Sequence, residues 1–415
     1  MGHKLRELRK VFLWSILIAF VGLAFMNCRN TREVTFEELR NPDEVGIDTL
    51  LGLFVNKYRE YITSHSDTTL FPRCYDNDSA IMVPPGDWTS GFFPGILWNL
   101  YDFSGDDLFL YAAQSWTNTL KEECHNTSTH DVGFVINSSF GQAFRITRDE
   151  SYREVLDTAA QSLASRYDDN LKCIKSLDEN EYYKYPVLID NMVNLEILYK
   201  AWQWNEDPRY YRIANDHALN TMEMHFRPDF SAFQVVDFDP GTSLPRYKGS
   251  FQGYSDSSAW ARGQSWGLYG FVLAFRETRD RIFLDQSLRI ATYILEHENF
   301  PEDGIPYWDF NAPDIPAAPR DATSAVILAS ALIELSSYEE VKQPEKYLDV
   351  AENIIYSLLT RDYIAGEHEY ENFVLKHGVG SIPGDSEVNV ALIYGDYYLL
   401  EALMKYKNLK IDDKN

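Results

Sequence analysis

Apolar, small-residue-rich stretches recur along the chain every 45 to 75 residues or so, each ending in a charged turn. Six such stretches run over 92–102, 139–149, 192–202, 266–276, 325–335 and 393–403. Most are followed by a second segment that places an aromatic residue ahead of Ala, as in 107–113, 152–159, 208–214 and 347–351. The first member of each pair is apolar nearly all round and is expected to be buried. The second carries one polar face and is expected outside. Short turns make the partners antiparallel. Six inner and six outer helices predict an all-α chain closed into an (α/α)6 barrel, with an open helical solenoid as the alternative.

Against that apolar background a small set of polar residues stands out. Trp88-Thr89, His130-Asp131, Asp190, Arg262, Arg320-Asp321 and Ser386-Glu387 all fall just before, or at the start of, a predicted inner helix. If the inner helices run the same way, these residues gather at one mouth of the barrel. Helix capping is the simpler account for Thr89, Asp131, Asp321 and Ser386. It leaves Trp88 and Arg262 unexplained. Asp131 and Asp190 sit at equivalent places in successive repeats, beside Val132, Phe134, Ile189 and Met192. A carboxylate in such surroundings is costly unless it is paired or works. Held close, two carboxyls raise one another's pKa, while a helix N-terminus favours the anion. A protonated Asp190 beside an ionised Asp131 is the arrangement of interest.

The segment 252–266 is the second dense cluster. Arg262 offers a planar fork suited to a carboxylate. Trp266 follows one helical turn later on the same face. Trp88 and Trp266 are candidates to stack on a sugar ring and Gln252 to hydrogen-bond it; His130 would orient Asp131 or touch substrate. The competing account buries Arg262 against Asp256 or Glu387 and makes Trp266 core.

Composition narrows the partners. Lys+Arg 38 against Asp+Glu 63 give a net charge of -25, which repels nucleic acid and anionic lipid. No linker-like stretch divides the 415 residues, so one catalytic domain is expected over 29–415 after a leader over 1–28. Lys4, Arg6, Arg9 and Lys10 followed by the apolar run 11–26 read as an export signal. Cys28 offers a lipid anchor to the membrane, and cleavage after Ala24 is the alternative. Export to the periplasm follows from either. Cys74, Cys124 and Cys173 show neither metal spacing nor a disulfide framework. With no phosphate loop and no metal-ligand set, no cofactor and no metal are expected.

The motifs over 87–95, 130–134, 189–192, 252–256 and 260–266, continuing through 307–310 and 319–322, resemble those of the unsaturated glucuronyl hydrolases of glycoside hydrolase family 88. The resemblance implies the (α/α)6 barrel, Asp190 as general acid/base and Asp131 as its assisting aspartate. It also implies substrate contacts from Trp88, His130, Gln252, Arg262 and Trp266. The implied substrate is a lyase-generated oligosaccharide bearing a 4,5-unsaturated uronate, of glycosaminoglycan type. One departure is Gln234, where the family commonly has His. Gln can hydrogen-bond but cannot carry a proton at neutral pH. Lys376 and Ser381 fall where family members recognise sulfate. An unsaturated rhamnogalacturonyl hydrolase acting on pectin fragments, and a non-catalytic glycan-binding lipoprotein, are the alternative functions. A sugar epimerase on the same barrel would want more histidines at the mouth.

Overall fold

The computed structural model describes residues 44–412. The leader and Cys28 lie outside the described residues. The six expected inner stretches are all helical. In chain order the inner wall is α2 (Phe92–Ser104), α4 (Val132–Ile136) with α5 (Gln142–Thr147), α7 (Asn191–Asn194) with α8 (Glu196–Asn205), α10 (Ala261–Thr278), α12 (Ala322–Ser336) and α14 (Ile393–Asp412). The outer layer is α1 (Glu44–Ser64), α3 (Asp107–Thr119), α6 (Glu150–Ala164), α9 (Pro208–Met224), α11 (Arg281–Glu296) and α13 (Pro344–Leu358). Each inner helix packs on the next, and α14 returns to pack on α2 and on α1. The ring therefore closes, with the two ends of the described chain forming the sixth hairpin.

Local chemistry repeats with the hairpins. Four inner helices end on a residue in the left-handed conformation, Gly105 (φ 66), Arg148 (φ 59), Glu206 (φ 54) and Arg279 (φ 57). An aspartate follows each time. Asp106, Asp149, Asp207 and Asp280 cap the outer helices by accepting from the backbone N–H two residues on. The charged turns seen in the sequence are thus two-residue corners that fix each helix pair. Inside the ring the helices approach closely. A Cβ on Gly270 of α10 would sit 2.3 Å from Met192 Cβ, so only glycine allows α10 this near α7.

The connections from outer to inner helices are long, and they carry small sheets that the helical pattern did not predict. Strands β5 (Pro186–Leu188), β6 (Val235–Asp239) and β7 (Leu244–Gly249) form one antiparallel sheet. A second has the order β2-β1-β9-β8, from Ser79–Val83, Phe71–Asp76, Ser386–Leu392 and Gly378–Ser381. A short pair, β3 (Tyr167–Asp168) and β4 (Cys173–Ile174), completes them. Strand β5 runs directly into Asp190 and α7, and β9 runs directly into α14. The sheets therefore build the rim at the N-terminal ends of the inner helices. Ser386 and Glu387 lie on β9 rather than at a helix start, so Ser386 is not a cap; the strand separates them from α14.

Candidate active site

Asp131 and Asp190 occupy matching positions, each the residue preceding the first turn of its inner helix. Their backbones are nearly identical, at φ -68, ψ -6 and φ -69, ψ -14, and neither side chain makes a capping hydrogen bond. Asp321 behaves differently, its carboxylate accepting from Thr323 N. Capping thus accounts for Asp321 and not for the pair. The Asp131 carboxylate accepts from Thr129 Oγ1 at 2.7 Å. Between the pair stands His130, 2 % exposed, with Nε2 3.3 Å from Asp131 Oδ1 and 3.9 Å from Asp190 Oδ1.

Asp190 is the electrostatically unusual member. Its Oδ1 is buried with no hydrogen-bond partner. Burial, which disfavours the charged form, pushes its pKa up to about 6. The interactions with His130 and Arg262 oppose that rise, and the neighbouring Asp131 charge reinforces it. The expected mutual repulsion of the pair is present but is the smaller cause. A carboxyl poised near 6 gives and retrieves protons close to neutrality, as a general acid/base must.

Trp88 forms the apolar side of the site. It is half-buried, with its ring centroid 4.9 Å from Tyr394 and 5.8 Å from Phe134. Together with Asp131, Thr129 and Val132 it lines a cavity of about 280 Å³. Trp266 lies deeper. At 2 % exposure it packs between Phe134 (5.5 Å) and Tyr398 (5.2 Å), as the floor beneath Trp88 and Phe134 rather than an open platform.

Arg262 is also more deeply committed than its sequence context suggests. Its Nη1 donates to Asp321 Oδ2 at 2.9 Å and to the Val379 carbonyl, and Nη2 donates to Gly380 O at 2.8 Å. Neither Asp256 nor Glu387 is its partner. Asp256 accepts from Tyr247 and Ser250 N, and Glu387 holds Arg73. The fork expected to face a substrate carboxylate is thus spent on Asp321 and on β8, because a charge this deep must be paired. What it fixes is the strand at Val379 and Gly380, and its positive field still reaches Asp190.

Gln252 reaches the same strand, donating to Gly380 O at 3.0 Å. Gln234 explains how it is held. Buried, it accepts at Oε1 from Ser250 Oγ (2.8 Å), Phe251 N (2.9 Å) and Gln252 N (2.9 Å), while its amide nitrogen donates to Gln252 Oε1. At this position the side chain organises a loop and needs no titratable proton. Asp309 ties the loop down beyond it, accepting from Tyr254 N and Ser258 Oγ. Of the two sulfate candidates, Ser381 adjoins Gly380 at this wall, whereas Lys376 donates to the Arg361 carbonyl at 2.6 Å.

The sequence reading did not single out Tyr394, Asn194 or the Arg73–Asp87–Glu387 cluster. Arg73 on β1 bridges Asp87 at 2.7 Å and Glu387 at 2.6 Å, fastening the second sheet beside Trp88. Asp87 in turn accepts from Thr89 N and Oγ1. The sequence placed Glu387 near the mouth and Asp87 just before Trp88, but it did not join them through Arg73. At the opposite end of the barrel a cavity of about 510 Å³ is lined by Glu196, Arg276, Glu401 and Lys405. Its carboxylate Glu196 does not suit proton transfer, because Lys200 and Arg276 pull it down to about 2 against its burial. The candidate for proton transfer is Asp190 at the mouth.

Comparison with known proteins decides the family. The sequence profile described as Glycosyl Hydrolase Family 88 matches residues 65–294, and a curated unsaturated glucuronyl hydrolase of Formosa agariphila is 37% identical over 95% of this chain and 98% of its own. The chain belongs to glycosyl hydrolase family 88. An unsaturated chondroitin disaccharide hydrolase of Streptococcus pneumoniae is 31% identical, covering 90% of this chain and 98% of its own. Among solved structures, an unsaturated glucuronyl hydrolase specific for heparin superposes with a TM-score of 0.85 at 37% identity, over 88% of this chain and 97% of that one. This family 88 chain is a glycosidase with the helical barrel that its hydrophobic pattern predicted.

Proposed function

We propose that this enzyme removes a 4,5-unsaturated uronate from the non-reducing end of lyase-generated glycosaminoglycan oligosaccharides, by hydrating the C4=C5 enol ether. The observation that carries the reading is Asp190, a carboxyl with a buried, unpartnered oxygen and a pKa of about 6, set beside His130 and Asp131 at the mouth of the barrel. The substrate class is supported by the relatives, whose names specify unsaturated glucuronyl or chondroitin disaccharide substrates.

The chemistry follows from the substrate's electrons. The ring oxygen pushes density through C5 to C4, which is therefore nucleophilic. Protonated Asp190 delivers its proton to C4, and positive charge spreads over C5 and the ring oxygen. The carboxylate so formed takes a proton from a water attacking C5. The hemiketal that results opens at the C5–ring oxygen bond, and the hemiacetal left at C1 releases the glycosidic partner. One acid/base serves both steps. Asp131 and His130 set its charge, Trp88 offers an apolar face for the ring, and Gln252 and Arg262 fix the wall at Gly380. Because the anomeric carbon is not attacked, carboxyl spacing does not predict stereochemistry as it does for ordinary glycosidases.

The test follows the ultraviolet absorbance of unsaturated disaccharides from chondroitin, hyaluronan and heparin, with wild type and Asp190→Asn in parallel. Loss of the chromophore with wild type alone supports the reading and ranks the substrates. Equal loss with the variant removes Asp190 from the acid/base role, and loss only with pectin-derived fragments moves the enzyme to the rhamnogalacturonyl type. We also propose export to the periplasm behind the leader, with Cys28 as the candidate lipid anchor and cleavage after Ala24 as the alternative. Labelling with a fatty-acid analogue that disappears in Cys28→Ala supports the anchor, and its absence in wild type supports cleavage after Ala24.

A further inference from the structure

The last residue of α7, Asn194, is 2 % exposed and lies behind His130 on the side away from the two carboxylates. Its Nδ2 is 3.4 Å from His130 Nδ1. Its Oδ1 is buried without a hydrogen-bond partner and faces the Cα of Gly133, where a Cβ would come within 2.4 Å of it. Gly133 is therefore the opening in α4 that admits the Asn194 carboxamide, and the first turns of two neighbouring inner helices interlock there.

We propose that Asn194 is a positioning residue that holds His130 in the tautomer with its proton on Nε2, aimed between Asp131 and Asp190. Two arguments lead to that tautomer from opposite sides of the ring. With its nitrogen towards Nδ1, Asn194 leaves a carbonyl against Gly133. Turned over, it would leave an N–H there, and an orphaned buried donor is the rarer and costlier defect. An amide donor at Nδ1 requires the lone pair on that nitrogen. On the other side, Nε2 faces Asp131 Oδ1 and Asp190 Oδ1, where an N–H is attracted and a lone pair repelled. Asn194 thus acts through His130. Through the ring it fixes a donor facing the carboxyl pair, 3.3 Å from Asp131 Oδ1 and 3.9 Å from Asp190 Oδ1.

This inference rests on the acid/base role proposed for Asp190, but its first test needs no substrate. Selective ¹⁵N-histidine labelling and long-range ¹H–¹⁵N correlation read the tautomer directly, with the His130 signals assigned by their loss in His130→Asn. In the wild type, neutral His130 should be protonated at Nε2. A proton on Nδ1 overturns the proposal, whatever the enzyme's substrate proves to be. In Asn194→Leu, which keeps the branching of the side chain but removes both hydrogen-bonding atoms, the ring should populate both tautomers and kcat should fall about tenfold, the loss of one hydrogen bond, with KM held within about twofold. An unchanged tautomer with unchanged kcat contradicts it, as does a loss carried by KM alone. If Asn194→Leu does not fold, the wild-type tautomer still decides.

Discussion

Asp190 combines three properties in one residue: an equivalent in the preceding repeat, no capping bond, and an oxygen without a partner. The consequences can be measured separately. Catalysis by its protonated form predicts that kcat/KM falls as pH rises through about 6, the value to which burial lifts this group. A pH–rate profile with no limb near 6 would detach the activity from Asp190. Stability should also fall with rising pH. A carboxyl whose folded pKa lies above its unfolded value of 3.8 binds protons more readily when folded. Its ionisation therefore costs stability as pH climbs from about 4 through 6, and below about 4 the cost is absent. Asp190→Asn, which cannot ionise, should be more stable than wild type at pH 7 by on the order of 1–3 kcal/mol, and no more stable at pH 3.5. Denaturant unfolding at the two pH values gives both numbers. The residue types at this site were legible in the sequence because Asp131 and Asp190 interrupt apolar runs at equivalent places. Their partners were not. Arg262 finds Asp321, 59 residues away, and Gln234 finds Gln252 across a hairpin, and no local pattern encodes such pairings.

Among the elements, the inner helices were the most readable because burial on all sides leaves an unbroken apolar run. Residues 261–275 of α10 are buried without exception. The outer helices were readable wherever an aromatic and an Ala sat on one face. Two of them, α11 and α1, lacked that signature. The strands escaped because they are short and irregularly buried; β7, for instance, runs from exposed and partly covered residues into the buried Gly249. Also unannounced were the breaks in the inner wall. A π-helical turn over Asn137–Gly141 separates α4 from α5, and Leu195 separates α7 from α8. Both interruptions fall one or two turns beyond Asp131 and Asp190, and Asn137 joins them by donating to Glu196 at 2.9 Å. The two-residue corners make a further prediction. Asp207→Ala removes a cap and should cost about 1 kcal/mol. Glu206→Gly relieves a left-handed non-glycine residue and should raise the melting temperature. Paired thermal melts of the two variants should show opposite signs. Shifts of the same sign would mean the corner is held by something other than its backbone geometry.

For the whole molecule, closure of the ring makes the two ends interdependent. Tyr58 of α1 donates to Asp396 of α14 at 2.9 Å, and Asp396 also accepts from Val374 N and Leu375 N. Losing α14 would open the barrel and leave those donors buried and unpaired. The barrel also carries histidines that must stay neutral. Burial lowers His217 to about 3 and His225 to about 4. In the unfolded chain both take up protons below about 6.5, so their contribution to stability is lost as pH falls from there towards 4. The midpoint of unfolding should therefore drop across that window, and His225→Gln should flatten the drop. A variant as acid-sensitive as wild type would assign the loss to other groups. The net charge of -25 bears on a different question, how an anionic oligosaccharide approaches, and it directs the discriminating contacts to local groups at the mouth. The central claim concerns which bond water attacks, and real-time proton NMR of an unsaturated chondroitin or heparin disaccharide in the presence of the enzyme tests it most directly. The account predicts that the vinylic C4 proton disappears at the rate at which the glycosidic partner is released, with no free unsaturated monosaccharide at any time. Release of a monosaccharide with its C4=C5 bond intact would contradict it, because the enzyme would then be attacking the anomeric carbon.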